Sequence, residues 1–307
     1  RGQASRSPGI PAQVMAVAAS PTPRRLAPRP FSARYRAMRA RWNAEWWSIA
    51  FGGPVGNLLA AALAEVTWIT PNRLTMVSFL CKLAAVPLLL SGTRGADVAV
   101  IVLFQAHTVL DCMDGSLARY RQQPSAMGAY LDKATDMIGL VGILAALGWR
   151  AAQGSQDPRV LLVAMLIASA TLLRFYVYWV VMHLEREAKV AAPSVGDRRL
   201  DCSSWTLGQR ARQYLRSMTK VVQVSEADLY FWFALALALR QERAMIYLVG
   251  AAQAVWLVLV LARRTWAVAQ IDRRARAAAS PQAATEARPE ATTEAAADSS
   301  PGAPRVT

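Results

Sequence analysis

Residues 96–149 read ADVAVIVLFQAHTVLDCMDGSLARYRQQPSAMGAYLDKATDMIGLVGILAALGW, two long apolar runs joined by a short polar, basic link. Each run is close to the ~20 residues that span a bilayer as a helix. The link is too short for anything but an antiparallel return, so the two helices lie side by side. Four aspartates sit at the linked ends: Asp111 and Asp114 on the first helix, Asp132 and Asp136 on the second. At ~100° per residue, Asp111 and Asp114 fall about 60° apart around their axis, and Asp132 and Asp136 about 40° apart. Each pair shares one helical face, and the hairpin brings the two faces together.

Working outward, apolar runs also occupy residues 74–92, 159–183, 226–240 and 244–262, which with 96–113 and 129–149 makes six expected spans. The fifth is the shortest and opens on Glu226 and Asp228. The expected fold class is therefore all-α: a polytopic membrane protein with six transmembrane helices preceded by an interfacial amphipathic helix. That helix is placed at 36–66, where Arg36, Arg39 and Arg41 accompany Trp42, Trp46 and Trp47 ahead of an apolar run broken by Gly52, Gly53, Pro54 and Gly56. Residues 1–35 are read as a disordered basic arm, 67–265 as the membrane domain, and 266–307 as a basic, then disordered, tail.

The whole chain has 307 residues, 54% of them hydrophobic, and a formal charge of +15. Its mean hydropathy is +0.21. Such a charge on a soluble face would suggest nucleic acid, but here the basic residues lie between apolar runs, so lipid headgroups are the expected partner and nucleic acid is not. They collect after the second, fourth and sixth spans, which puts both termini and the 114–128 loop on the cytoplasmic side of a cell membrane. The three cysteines are far apart and only His107 and His183 are present, so zinc and disulfide frameworks are excluded. Any metal is held by carboxylates.

Four converging carboxylates repel one another strongly unless cations compensate them. Hard oxygen donors favour Mg²⁺, Mn²⁺ or Ca²⁺, and two such ions can bridge a pyrophosphate. Gly115 and Gly128, beside these aspartates, leave room for a nucleotide or for backbone to approach.

The full pattern, Asp-x2-Asp-Gly-x2-Ala-Arg-x8-Gly-x3-Asp-x3-Asp from Asp111 to Asp136, resembles the signature of the CDP-alcohol phosphotransferase family at every fixed position. Thr70-Pro71-Asn72, opening the first span, is similar to the family segment that helps enclose the CDP moiety. The resemblance, over roughly residues 36–265, implies two Mg²⁺ or Mn²⁺ ions on Asp111, Asp114, Asp132 and Asp136, with Asp136 also taking the proton of the acceptor hydroxyl. It implies that Pro71, Asn72, Gly115, Ala118, Arg119, Ser125 and Gly128 face the nucleotide. It further implies a homodimer that moves a substituted phosphate from a CDP-linked lipid donor, CDP-diacylglycerol first, to a small polar alcohol, releasing CMP. A second branch of the family moves phosphocholine or phosphoethanolamine onto diacylglycerol, and the signature is common to both.

Other charged residues have plainer readings. His107 is read as a buried, hydrogen-bonded histidine outside the site. Arg174, inside the fourth span, is a candidate for an acceptor or lipid phosphate, as are Arg198 and Arg199. Lys82, inside the first span, either snorkels to an interface or pairs with another helix. A cation transporter or channel lined by the same carboxylates is the rival function; it calls for carboxylates near the midplane in broken helices, whereas these cluster at one end beside Gly and Arg.

Overall fold

The computed structural model describes residues 29–40, 45–190 and 202–278. Among them every regular element is helical. A short helix α1 (Phe31–Met38) is followed by a π-helical turn (Ser48–Gly52) that runs into α2 (Gly53–Leu63). Then come α3 (Pro71–Ser91), α4 (Arg94–Tyr120), α5 (Ala126–Ser155) and α6 (Arg159–Glu187). The chain continues through α7 (Leu207–Met218), a 3₁₀ turn (Thr219–Gln223), α8 (Glu226–Leu239) and α9 (Glu242–Ala278).

Five helices, α3, α4, α5, α6 and α9, are long and apolar enough to cross a membrane. A sixth span exists only if α7 and α8 count as one, and they meet at a 65° bend. The expected fifth span at 226–240 is thus the 14-residue α8, about 21 Å long at 1.5 Å per residue and short of a ~30 Å hydrocarbon layer. The arm read as 1–35 gives way to helix by Phe31, and residues 1–28 and 279–307 lie outside the described residues.

Helix ends follow local chemistry. Thr70, Thr93 and Ser125 each place a side-chain oxygen under a backbone N–H three residues on, capping α3, α4 and α5. Pro71 at the first position of α3 supplies a fixed φ where no donor is needed. Arg121 closes the other end of α2: its guanidinium donates to the carbonyl oxygens of Ala64 at 2.9 Å, Val66 at 2.9 Å and Ile69 at 2.5 Å. It thereby pairs carbonyls of the cap and the turn that follow α2.

The described residues divide into two compact units, those within 1–172 and 198–256 and those within 173–197 and 257–307. In the first, α3, α4 and α5 pack together around a core of Leu89, Val100, Phe104, Leu140, Ile143 and Leu144 that extends to Tyr230 and Phe233 of α8. The π-turn and α2 lie against α4 through glycines. A Cβ at Gly52 would come within 2.8 Å of Thr108 Cγ2, and one at Gly56 within 2.9 Å of the Val109 carbonyl oxygen. This is the small-residue packing by which apolar helices approach one another closely. At the end of α4 remote from the aspartates, Arg150 pairs with buried Asp97 and, at 2.9 Å, with Glu242. In the second unit, the Arg264 guanidinium lies over the Tyr178 ring, 6.0 Å from its centroid.

Candidate active site

α3 packs on both α4 and α5, and α4 and α5 meet mainly across it rather than directly as neighbours; the C-terminal third of α4 thereby faces the N-terminal turns of α3 and α5. Asp111, Asp114 and Asp132 each present a carboxylate oxygen, and these atoms all lie within 4.8 Å of one another. Thr75 of α3 fixes one of the three: its hydroxyl donates to Asp114 Oδ2 at 2.5 Å and reaches the Pro71 carbonyl at 3.2 Å.

Asp136 is placed differently. Its Oδ1 accepts from Lys82 Nζ at 2.8 Å, and its Oδ2 lies 3.4 Å from Lys133 Nζ. Lys133 also reaches Asp132 at 3.1 Å. Lys82 is 1% exposed, so its ammonium does not snorkel; it pairs across helices. The stem of Lys82 runs over Gly139, where a Cβ would stand 2.6 Å from Lys82 Cδ.

Around the nucleotide candidates, Gly128 makes room for Asn72, since a Cβ there would come 2.9 Å from Asn72 Oδ1. Ser125 accepts from Gly128 N–H at 2.9 Å as the cap of α5. Arg119 folds back over Gly115, its Nη1 at 3.0 Å from the position of a Cβ. It also donates to Ser116 Oγ at 3.2 Å, and Ser116 donates to Asn57 Oδ1 at 2.7 Å. Ala118 is half-buried on the same helix. Beside Arg119 opens a cavity of about 270 Å³ lined by Arg29, Met38, Ser116, Tyr120 and Gln122. Arg174 belongs to the second compact unit, and Arg198 and Arg199 lie outside the described residues.

Beneath the aspartates is a layer of which the sequence showed only His107, the buried, hydrogen-bonded histidine expected above. His107 is buried, its Nδ1 2.6 Å from Ser78 Oγ and its ring edge-on to Tyr230 at 4.4 Å. The Tyr230 hydroxyl is buried and has no hydrogen-bond partner among the described residues. Asp228 ties α8 to the π-turn, accepting from Trp47 N–H and Ser225 N–H at 3.0 Å each. Burial, with the Asp228 charge next in weight, pushes the Glu45 carboxyl up to about 7. Lys82, Tyr230 and Glu45 come from 54 to 94 residues away from Asp136 (82 to 136, 136 to 230) or from ahead of the first long helix. No local spacing links them to the aspartates; the one signal available was a lysine set inside an apolar run.

Residues 68–207 match the family model described as CDP-alcohol phosphatidyltransferase. This segment contains all four aspartates, Lys82, Asn72 and Arg119. Over 117 residues the chain is 32% identical to a phosphatidylinositol phosphate synthase of Mycobacterium marinum (strain ATCC BAA-535 / M), covering 38% of this chain and 48% of that protein. The chain thus spans about half the length of the curated relative it matches.

Proposed function

We propose that this chain is a membrane-embedded transferase that moves a substituted phosphate group from a CDP-alcohol, CDP-diacylglycerol in the first place, to the hydroxyl of a polar alcohol in phospholipid biosynthesis, releasing CMP. The observation that carries this reading is the convergence of Asp111, Asp114 and Asp132 within 4.8 Å inside the segment that matches the family model.

Three carboxylates from two helices form an all-oxygen donor set suited to Mg²⁺ or Mn²⁺. Such a cation, when bound, neutralises charge developing on the phosphate oxygens. Thr75 holds Asp114 in orientation for it. Asp136, which accepts from Lys82 and lies beside Lys133, takes the proton of the acceptor hydroxyl. The oxygen so released attacks the β-phosphorus, the bond from that phosphorus to the bridging oxygen breaks, and CMP leaves with the electron pair. Asn72, backed by Gly128, and Arg119 over Gly115 are placed at the same end of the helices to meet the nucleotide and its pyrophosphate. The basic residues grouped at the aspartate end support a cytoplasmic orientation, and a homodimer belongs to the same reading.

The test is paired. Radiolabelled CDP-diacylglycerol offered to the purified chain with a panel of alcohols should yield CMP and one labelled lipid. For Asp136→Asn, calorimetric binding of the donor with Mg²⁺ should be nearly unchanged while turnover falls ~10²- to 10⁴-fold, as on loss of a general base. Asp111→Asn and Asp114→Asn should weaken donor binding too. Near-normal turnover of Asp136→Asn would move the proton acceptor elsewhere, Asp132 first, and CMP release only from CDP-choline or CDP-ethanolamine with diacylglycerol would replace the donor assignment.

A further inference from the structure

The four aspartates are not equivalent, and Lys82 is the reason. We infer that the ammonium group of Lys82 takes, beside Asp136, the place of a second divalent cation, so that this chain binds one metal ion through Asp111, Asp114 and Asp132. The inference rests on the metal site proposed above and alters its stoichiometry from the two ions that the family resemblance implies.

Three observations converge. First, the carboxylate oxygens that lie within 4.8 Å of one another come from Asp111, Asp114 and Asp132, while Asp136 Oδ1 is 2.8 Å from Lys82 Nζ. Second, Lys82 is 1% exposed and the Asp136 side chain 9%, so both charges are removed from water. A buried ammonium needs a fixed counter-ion, and losing it would leave an isolated charge in a medium that solvates it poorly. Third, the space for the lysine is cut into the facing helix. A Cβ at Gly139 would lie 2.6 Å from Lys82 Cδ and 2.9 Å from Cε, so the backbone of α5 holds a channel that fits this stem and leads it to Asp136.

A protonated lysine has three donors and no acceptor, so it cannot itself ligate a metal. A divalent ion shared with Asp136 would have to come close to that ammonium in a low-dielectric interior, where like charges repel strongly. Lys133 is different in kind. With 42% of its side chain exposed, its ammonium is not removed from water as that of Lys82 is.

The experiment counts ions and does not depend on turnover. The purified full chain in detergent is equilibrated with Mn²⁺, with and without CMP, and bound metal is read by elemental analysis and by electron paramagnetic resonance. The expected result is one ion per chain with the spectrum of an isolated Mn²⁺, lost in Asp111→Asn. Lys82→Met should gain a second ion and the signal of a spin-coupled pair. Two ions or a coupled pair in the unaltered chain would overturn the inference while leaving the proposed activity standing. No bound Mn²⁺ in the unaltered chain would overturn both. A folded Lys82→Met that still holds one ion would remove the lysine from its assigned role, and the count on the unaltered chain decides the question even if that variant does not fold.

Discussion

At the scale of single residues, the site depends on side chains that hold other side chains. Thr75 contributes no charge, yet its hydroxyl orients Asp114. Groups that orient metal ligands typically matter 10- to 100-fold in metal affinity, so Thr75→Val should weaken Mn²⁺ binding by about that factor while Thr75→Ser restores it. A Mn²⁺ titration followed by the loss of the free-ion signal checks this. Glu45 acts on stability instead. Its carboxyl is raised from an ordinary 4.5 to about 7 by burial and by Asp228. Below 4.5 both folded and unfolded chains hold the proton. Between 4.5 and 7 the unfolded chain releases it first, so the folded state loses stability as pH rises through that window and shows the full deficit above it. Glu45→Gln should therefore flatten this decline and raise the melting temperature at pH 8 more than at pH 5, as read by thermal unfolding in detergent.

At the scale of elements, close helix approach and paired helix ends decide which substitutions are tolerated. A leucine in place of Gly56 would force α2 off α4, because even a Cβ meets the Val109 carbonyl oxygen at 2.9 Å. The expected loss is about 1–3 kcal/mol, the usual cost of overpacking. Arg121→Ala would leave the half-buried carbonyls of Ala64, Val66 and Ile69 without this donor; the expected loss is about 1 kcal/mol or more. Both would appear as lower midpoints in thermal unfolding. The long helices were legible because a run of apolar residues near twenty long is an unambiguous signal, and α3 to α6 begin or end within a few residues of charge or Thr, Ser and Pro. The helix expected at 226–240 lies at Glu226–Leu239, but its bend to α7 was not legible. Its apolar part is too short to span alone, and the 65° bend to α7 follows from a break near Val224, whose φ of 42° no hydropathy pattern reports. The aspartate pairs were legible because helical periodicity and one short loop set them. The Lys82–Asp136 pair was not, since its two halves are brought together only by packing of α3 on α5.

At the scale of the whole molecule, the orientation of the helices in a membrane is the testable quantity. Gln122 follows α4 and Gln153 lies in the last turn of α5, both exposed and at opposite ends of one helix. Cysteines introduced at these two positions should label from opposite sides, with position 122 on the cytoplasmic side. Labelling of both from one side would remove α5 as a span.

The channel that Gly139 leaves for Lys82 also limits how this protein can change by descent. Enlarging residue 139 first would press on a stem that has nowhere to go, and shortening residue 82 first would leave Asp136 without the buried ammonium that now meets it. Neither single step is neutral in the order most mutations arrive. Positions 82 and 139 should therefore drift as a pair in descendants of this chain: where the lysine is kept the glycine is kept, and where the lysine has gone, residue 139 is free to grow.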